Sequence, residues 1–263
     1  MNAINREMPR WNTLKIEVGN RIARVTLNRP EKLNALSREL MSEIVELGAW
    51  LKLREDIRVV ILSGAGRSFC AGFDLNDFSH ASAGESPRQA ADLGRLATNA
   101  LTDVPQLTIA AVQGHCVGGG VVFVAACDLR VATTETTFTI PEVDLGIPLA
   151  WGGIPRLVRE IGPALTKELV LTCRPFGADE AKSIGFINQV VAPSDLETAV
   201  TELAENLASK TLYSLHSTKQ QVNAVMEEIA GTGRSAGDAD MLVYAMRDPE
   251  SREVTARYLG QRK

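Results

Sequence analysis

The sequence lacks the signatures of several large classes of protein. No apolar run approaches the ~20 residues that a membrane span needs, and residues 1–10 contain no apolar segment typical of a secretion signal. The net charge is −4, and the 28 Lys and Arg residues are spread along the chain rather than gathered in a basic stripe. We therefore expect a cytoplasmic protein with neither a nucleic-acid partner nor a membrane partner.

Cysteine and histidine are also scarce. The four cysteines are widely spaced and form no C-x-x-C pair, and the three histidines form no H-E-x-x-H helix. The sequence therefore predicts neither disulfides nor a metal site. It also contains no G-x-x-x-x-G-K, which argues against a Walker-type nucleotide site.

What the chain does contain is enough for a full-sized core, with 263 residues of which 45% are hydrophobic. Alternating or continuous apolar segments predict short strands, at 15–18, 22–27, 59–62, 107–112, 129–132 and 137–140. Apolar residues three or four apart predict helices, at 36–53, 88–101 and 196–207. Ser37, Asp179 and Asp195 are candidate helix caps. The last ~65 residues show no convincing strand pattern, so we expect an α/β core followed by a helical tail.

Three consecutive glycines, at 118–120, separate the strand at 107–112 from an apolar segment at 121–126 that is typical of a buried helix. Glycine permits positive φ and lets another molecule approach the backbone amides. Because the first N–H groups of a helix have no intrahelical partner, such a start can bind a phosphate or a carbonyl gaining negative charge. A tight turn with close helix–strand packing is the alternative that this stretch leaves open.

Several motifs follow one another along the chain, at 28–36, 71–75, 114–120, 127–128, 141–142, 146 and 178–188. This order resembles the enoyl-CoA hydratase/isomerase family, also called the crotonase superfamily, from about Asn12 to Gln261. The resemblance implies a spiral of ββα units at residues 1–195. It implies that the helical region at 196–263 packs homotrimers, often paired into homohexamers. It also implies an acyl-CoA thioester of fatty acid metabolism as substrate, with coenzyme A as part of the substrate and no separate cofactor.

The resemblance also implies roles for individual residues. The backbone N–H groups of Phe73 and Gly119 match the family's oxyanion hole, which binds the thioester carbonyl, and Glu142 matches a glutamate that exchanges protons with the substrate. The other matches are substrate-binding positions, Lys32, Ala35, Leu36, Ala71, Asp74, Leu75 and Gly118. From the residues alone, Lys32 could equally be a solvated surface charge, Asp74 a turn cap and Glu142 a surface carboxylate at a strand end.

One departure from the family pattern bears on the reaction. Hydratases of the family carry a second glutamate two residues after the glycine triplet, where this chain has Val122, which can neither orient water nor carry a proton. This favours isomerase chemistry through Glu142 alone. If the segment after Glu142 is extended, Asp144 would face the same side and could supply a second acid. A hydratase and a non-catalytic acyl-CoA-binding homologue remain the alternatives.

The acyl end of the predicted site also differs from the family pattern. Ala150 stands where dienoyl-CoA isomerases carry an aspartate, which argues against that branch. The pair Ala150 and Trp151 occupies positions where the family often has small residues, so we expect a reshaped acyl pocket.

Overall fold

The computed structural model describes residues 9–74, 77 and 86–260, so Leu75, one of the predicted substrate contacts, lies outside the described residues. These residues form two β-sheets with helices packed around them. The strands are β1 (Leu14–Gly19), β2 (Ile22–Leu27), β3 (Val59–Gly64), β4 (Leu107–Val112), β5 (His115–Val117), β6 (Leu129–Thr133), β7 (Thr137–Thr139), β8 (Phe176–Gly177) and β9 (Gln189–Val191). The helices are α1 (Arg38–Leu51), α2 (Pro87–Thr102), α3 (Gly119–Ala126), α4 (Gly153–Thr172), α5 (Ala178–Ser183), α6 (Leu196–Ala208), α7 (Leu212–Ala230), α8 (Asp238–Ala245) and α9 (Pro249–Gly260).

The larger sheet has six strands in the order β1-β2-β3-β4-β6-β9. The β1–β2 hairpin is antiparallel, and every other neighbouring pair is parallel. The smaller sheet has the order β5-β7-β8, with β5 and β7 parallel. The units β4-β5-α3 and β6-β7-α4 each place their first strand in the large sheet and their second in the small one. This arrangement confirms the predicted α/β fold of repeated ββα units.

The central strands of the large sheet are buried on both faces. Along β3, Val60 and Leu62 face the main core with α1 to α4, whereas Val59 and Ile61 face a second cluster formed with α6. This alternation follows from the two-residue period of a strand. It explains why β3 is a continuous apolar run in the sequence.

Most predicted elements are confirmed within one or two residues, and the differences have simple causes. Ser37 caps α1 by accepting a hydrogen bond from the N–H of Leu40 at 3.2 Å. Asp179 is not a cap, because α5 begins one residue earlier and Gly177 holds the N-cap position. Asp195 holds the N-cap position of α6 but makes no capping bond with its side chain. Strands β5, β8 and β9 were not predicted, since two or three residues are too few to show a period.

The helices after residue 195 pack back onto the core. Helix α6 covers the large sheet, and α8 packs against α2. Helix α7 carries three large aliphatic side chains that are each more than half exposed, Val222, Val225 and Ile229, which we call the apolar face of α7. Within the described residues, no helix combines the length and the hydropathy needed to cross a bilayer.

Candidate active site

A cavity of about 310 Å³ brings together distant parts of the chain. Phe73, Gly119 and Glu142, the three predicted catalytic residues, all line it. The rest of the lining is mostly apolar, and comprises Arg38, Asp77, Pro87, Ala90, Ala91, Val122, Ile147, Pro148, Leu149, Ala150, Trp151, Leu242 and Met246. A concave, largely apolar site with a few polar groups is the usual form of a ligand site.

The glycine triplet forms the start of α3 at one wall of this cavity. Gly118 is the N-cap residue with φ of +52°, and Gly119 is the first helical residue. As a first-turn residue, Gly119 has an N–H without an intrahelical acceptor. A Cβ on Gly118 would lie 2.5 Å from Oε1 of Glu142, so glycine leaves the space that the carboxylate occupies. The triplet therefore supplies both a helix N-terminus and room for an acid beside it.

A short parallel bridge holds Phe73 opposite Leu36. The N–H of Leu36 donates to the carbonyl of Gly72 at 2.8 Å, and the N–H of Asp74 donates to the carbonyl of Leu36 at 3.1 Å. Leu36 also reaches α3, since its Cδ1 lies 3.0 Å from where a Cβ of Gly119 would be. The two predicted substrate-binding segments are thus hydrogen-bonded to each other, and Leu36 packs against Gly119.

None of the predicted substrate-binding residues that the structure describes is part of the cavity lining, Leu36 and Gly118 included. Lys32 is exposed at the end of a 3-10 helix, and Ala35 and Ala71 are half-buried. The carboxylate of Asp74 is buried and forms an ion pair with Arg29 at 3.0 Å. Arg29 also donates to the carbonyl of Ala35 at 2.5 Å, so this pair secures the turn that carries Ala35.

Glu142 is a carboxylic acid in an apolar enclosure. Its Oε2 is buried and has no hydrogen-bond partner among the described residues. Burial raises the pKa of Glu142 from its ordinary value of 4.5 to about 7, and a hydrogen bond from its own backbone opposes this only partly. Near neutral pH, the group can therefore both take up and release a proton.

Asp144 does not share this environment. The segment from Glu142 to Gly146 is a series of turns rather than an extended strand, closed by a hydrogen bond from the N–H of Ile147 to the carbonyl of Glu142 at 3.0 Å. Asp144 is exposed and is not part of the cavity lining. The expectation that it faces the same side as Glu142 is therefore wrong, because a turn removes the two-residue alternation on which it depended.

Val122 and Ala150 both line the cavity. Val122 is fully buried on α3, one turn after Gly119, and its Cγ2 lies 2.9 Å from where a Cβ of Gly153 would be. The position at which hydratases carry their second glutamate thus faces the cavity, and here it presents a methyl group.

Trp151 fills the space between two helices beside the cavity. Its φ is +60°, a conformation that costs a bulky L residue about 1–2 kcal/mol. Its indole leaves no room for a Cβ on Gly94 of α2 or on Gly119, and it makes an edge-on contact with Phe73. The sequence predicts that Trp151 reshapes the acyl pocket, but it does not predict these contacts. Gly94, an isolated glycine inside a helical pattern, was the available signal.

The C-terminal helices complete the cavity. Leu242 of α8 and Met246 just after it form part of the wall. The carboxylate of Asp238 accepts a hydrogen bond from the N–H of Gly152 at 2.8 Å. Sequence reasoning missed this contribution, since these partners are 86 residues apart and no local pattern joins them.

A wider cavity of about 750 Å³ lies between α3, α4 and α7. Lys219 of α7 donates there to Asp128 and to the carbonyl of Gln106, both at 2.8 Å. None of the predicted site residues lines this cavity. Its polar contacts attach α7 to the core.

The two-sheet ββα architecture, together with a buried glutamate beside a glycine-lined helix start, defines a protein of the crotonase fold. Residues 17–263 match the Enoyl-CoA hydratase/isomerase family, and the chain belongs to this family, as the order of motifs predicts. It is 35% identical over 217 residues to the short-chain-enoyl-CoA hydratase of Clostridium acetobutylicum, covering 82% of this chain and 83% of that one. It is 36% identical over 227 residues to the peroxisomal Delta(3,5)-Delta(2,4)-dienoyl-CoA isomerase of Arabidopsis thaliana, covering 81% and 82%.

The fold also matches that of solved structures. The enoyl-CoA hydratase/isomerase of Pseudoalteromonas atlantica superposes with a TM-score of 0.84 at 26% identity, covering 95% of this chain and 98% of that one. The predicted family and fold are therefore confirmed, and the protein is an enoyl-CoA hydratase or isomerase. Of the two relatives above, one is named as a hydratase and the other as an isomerase.

Proposed function

We propose that the protein is a Δ3,Δ2-enoyl-CoA isomerase in which Glu142 is the only proton shuttle. The observation that carries this proposal is Val122, an apolar side chain at the cavity wall where hydratases need a second carboxylate to position water. One carboxylate is sufficient for isomerisation, because the same proton can be taken from one carbon and returned to another.

In the proposed mechanism, the N–H groups of Phe73 and Gly119 hold the thioester oxygen. The Glu142 carboxylate removes a proton from C2 of a 3-enoyl-CoA, and the electron pair moves to the thioester oxygen to give a dienolate. When the carbonyl re-forms, the double bond moves between C2 and C3, and C4 takes the proton back from Glu142. Loss of one oxyanion donor costs about 3–4 kcal/mol in known cases. No electrons leave the substrate, so the reaction needs no separate cofactor.

The pKa of Glu142, raised to about 7 by burial, supports this role. An acid of this strength is ionised enough near neutrality to take a proton, and basic enough to hold that proton until C4 is ready to receive it. An ordinary glutamate with a pKa of 4.5 would be a weaker base.

The deciding experiment uses the unmodified protein. Crotonyl-CoA and a 3-enoyl-CoA are supplied separately and both products are followed, and we expect isomerisation to outrun hydration. The Glu142→Gln variant should lose turnover while keeping most of its affinity for acyl-CoA. Hydration at an enzymatic rate without isomerisation would make the protein a hydratase, the activity for which the Clostridium relative is named. Binding without either reaction would make it an acyl-CoA-binding homologue.

A complementary variant tests the part assigned to Val122. Val122→Glu places a second carboxylate at the same wall, so hydration should rise relative to isomerisation if the added group can hold a water. Val122→Gln is the matched control, because it adds a polar side chain of similar size without a carboxylate.

A further inference from the structure

Trp151 is held in the cavity wall by contacts on three sides. A Cβ on Gly94 would lie 2.0 Å from Cε2 of the indole, and a Cβ on Gly119 would lie 2.2 Å from its Cζ3. The ring centroids of Trp151 and Phe73 are 5.9 Å apart with the planes at 79°. The indole therefore bridges α2 and α3 and touches both residues whose amides are proposed to bind the thioester carbonyl.

The backbone of Trp151 is fixed as firmly as its side chain. Gly152, the next residue, has φ of +70° and donates its N–H to Asp238 at 2.8 Å. Arg156 donates to the carbonyls of Trp151 and Gly152, at 3.4 and 3.2 Å. A bulky residue in a left-handed conformation persists only where its surroundings hold it, and such positions cluster at ligand sites.

We propose that Trp151 limits the length of the acyl group that the enzyme accepts. The inference rests on the proposed function, since it takes this cavity as the acyl site. The indole edge lies beside Gly119, next to where the thioester carbonyl would sit, and so occupies space into which a long acyl chain would continue. The cavity of about 310 Å³ is at the small end of the range for ligand sites. The enzyme should therefore prefer short acyl groups, and removal of the indole should admit longer ones.

The test measures binding of saturated acyl-CoA esters, which cannot be isomerised. Butyryl-, hexanoyl- and decanoyl-CoA are titrated by calorimetry into the wild type and Trp151→Ala. We expect the wild type to bind butyryl-CoA at least tenfold more tightly than decanoyl-CoA. In Trp151→Ala, the ratio of these two affinities should be at least tenfold lower than in the wild type. Trp11→Ala is the matched control, because Trp11 packs against Trp50 at 6.4 Å and neither lines the cavity. The control should keep the wild-type ratio.

Gly94 provides an independent perturbation. In Gly94→Ala the new methyl group collides with the indole, so the ring must move, and we expect at least tenfold weaker binding of hexanoyl-CoA. In the Gly94→Ala/Trp151→Ala double variant the methyl group has room, and Gly94→Ala should then change affinity by less than twofold. If circular dichroism shows that Trp151→Ala is poorly folded, Trp151→Phe and Trp151→Leu replace it in the same titrations. These smaller changes should lower the ratio of butyryl-CoA to decanoyl-CoA affinity by a smaller factor.

Tryptophan fluorescence checks that the ligand reaches this residue. Of the three tryptophans, Trp151 is the one that lines the cavity. Acyl-CoA should change the emission of the wild type and of Trp11→Ala, but not that of Trp151→Phe. An unchanged chain-length ratio in all Trp151 variants would overturn the proposal, as would an equal loss of affinity for all three esters. Because no turnover is measured, failure of the isomerase mechanism leaves this result unaffected.

Discussion

Replacing Glu142 by glutamine should change how the stability of the protein depends on pH. Burial raises the pKa of Glu142 from 4.5 to about 7 in the folded state, whereas the unfolded chain returns it to its ordinary value. Between these two values the folded protein keeps a proton that the unfolded chain releases. The free energy of unfolding therefore falls as pH rises from about 4.5, and this loss is complete above about 7. The shift corresponds to a loss of about 3 kcal/mol, a large part of a typical stability of about 5–15 kcal/mol.

Glutamine has nearly the same shape and does not titrate. If the amide packs as the protonated acid does, the free energy of unfolding of Glu142→Gln should equal that of the wild type near pH 4.5. Near pH 8 it should exceed the wild-type value by about 3 kcal/mol. Urea unfolding at both pH values measures this, at one protein concentration because association shifts apparent stability. The quantity to compare is the difference between variant and wild type, since other titrating groups contribute equally to both.

The exposed Glu135 supplies the control. Glu135→Gln should give the same difference from wild type at both pH values. A Glu142→Gln difference that also stays constant would show that the carboxyl titrates as in water, and the reasoning from its enclosure would be refuted.

Three further predictions concern binding, assembly and folding. An acyl-CoA thioester should bind more tightly than its ether analogue, which lacks the carbonyl for the Phe73 and Gly119 amides, and equal affinities by calorimetry would contradict the oxyanion assignment. The apolar face of α7 needs a covering partner, so light scattering should give a mass near three or six times 28.4 kDa, and a monomer at micromolar concentration would rule this out. Ser37→Ala removes the cap on the Leu40 N–H and should lower the free energy of unfolding by about 1 kcal/mol in urea titrations.

The parts of the fold that sequence reasoning predicted are those with a local physical signal. Helix α1 was predicted because its buried residues recur at three- and four-residue steps, and β3 because a strand covered on both faces is apolar throughout. The glycine triplet was predicted as a helix start because apolar segments of different character flank it. Strands β5 and β8, of three and two residues, carry no such signal.

In the candidate site, too, the residues with a local sequence signal are predicted and the long-range contacts are not. Phe73, Gly119 and Glu142 were chosen from motifs and their order, and the structure brings all three to one cavity. The contact of Trp151 with Gly94 and the bond from Gly152 to Asp238 join segments far apart in sequence, so only the packed chain reveals them. The residue pattern at 142–146 does not distinguish an extended segment from a run of turns, so it leaves open which side Asp144 faces, and the structure shows turns.

The wall contributed by α8 links the acidity of Glu142 to the stability of a helix about 100 residues further along the chain. Leu242 and Met246 form part of the wall of the cavity that Glu142 lines, and α9, the helix that follows, has no buried residue. Weakly buried segments open most readily in native-state fluctuations, and α8 itself has four buried residues, so opening is expected to begin at α9. Each opening of α8 would admit water to Glu142 and lower its pKa toward the ordinary value. A substitution that loosens α8 would therefore lower the pKa of Glu142 and weaken the proposed catalytic base, although α8 supplies neither the acid nor the oxyanion donors.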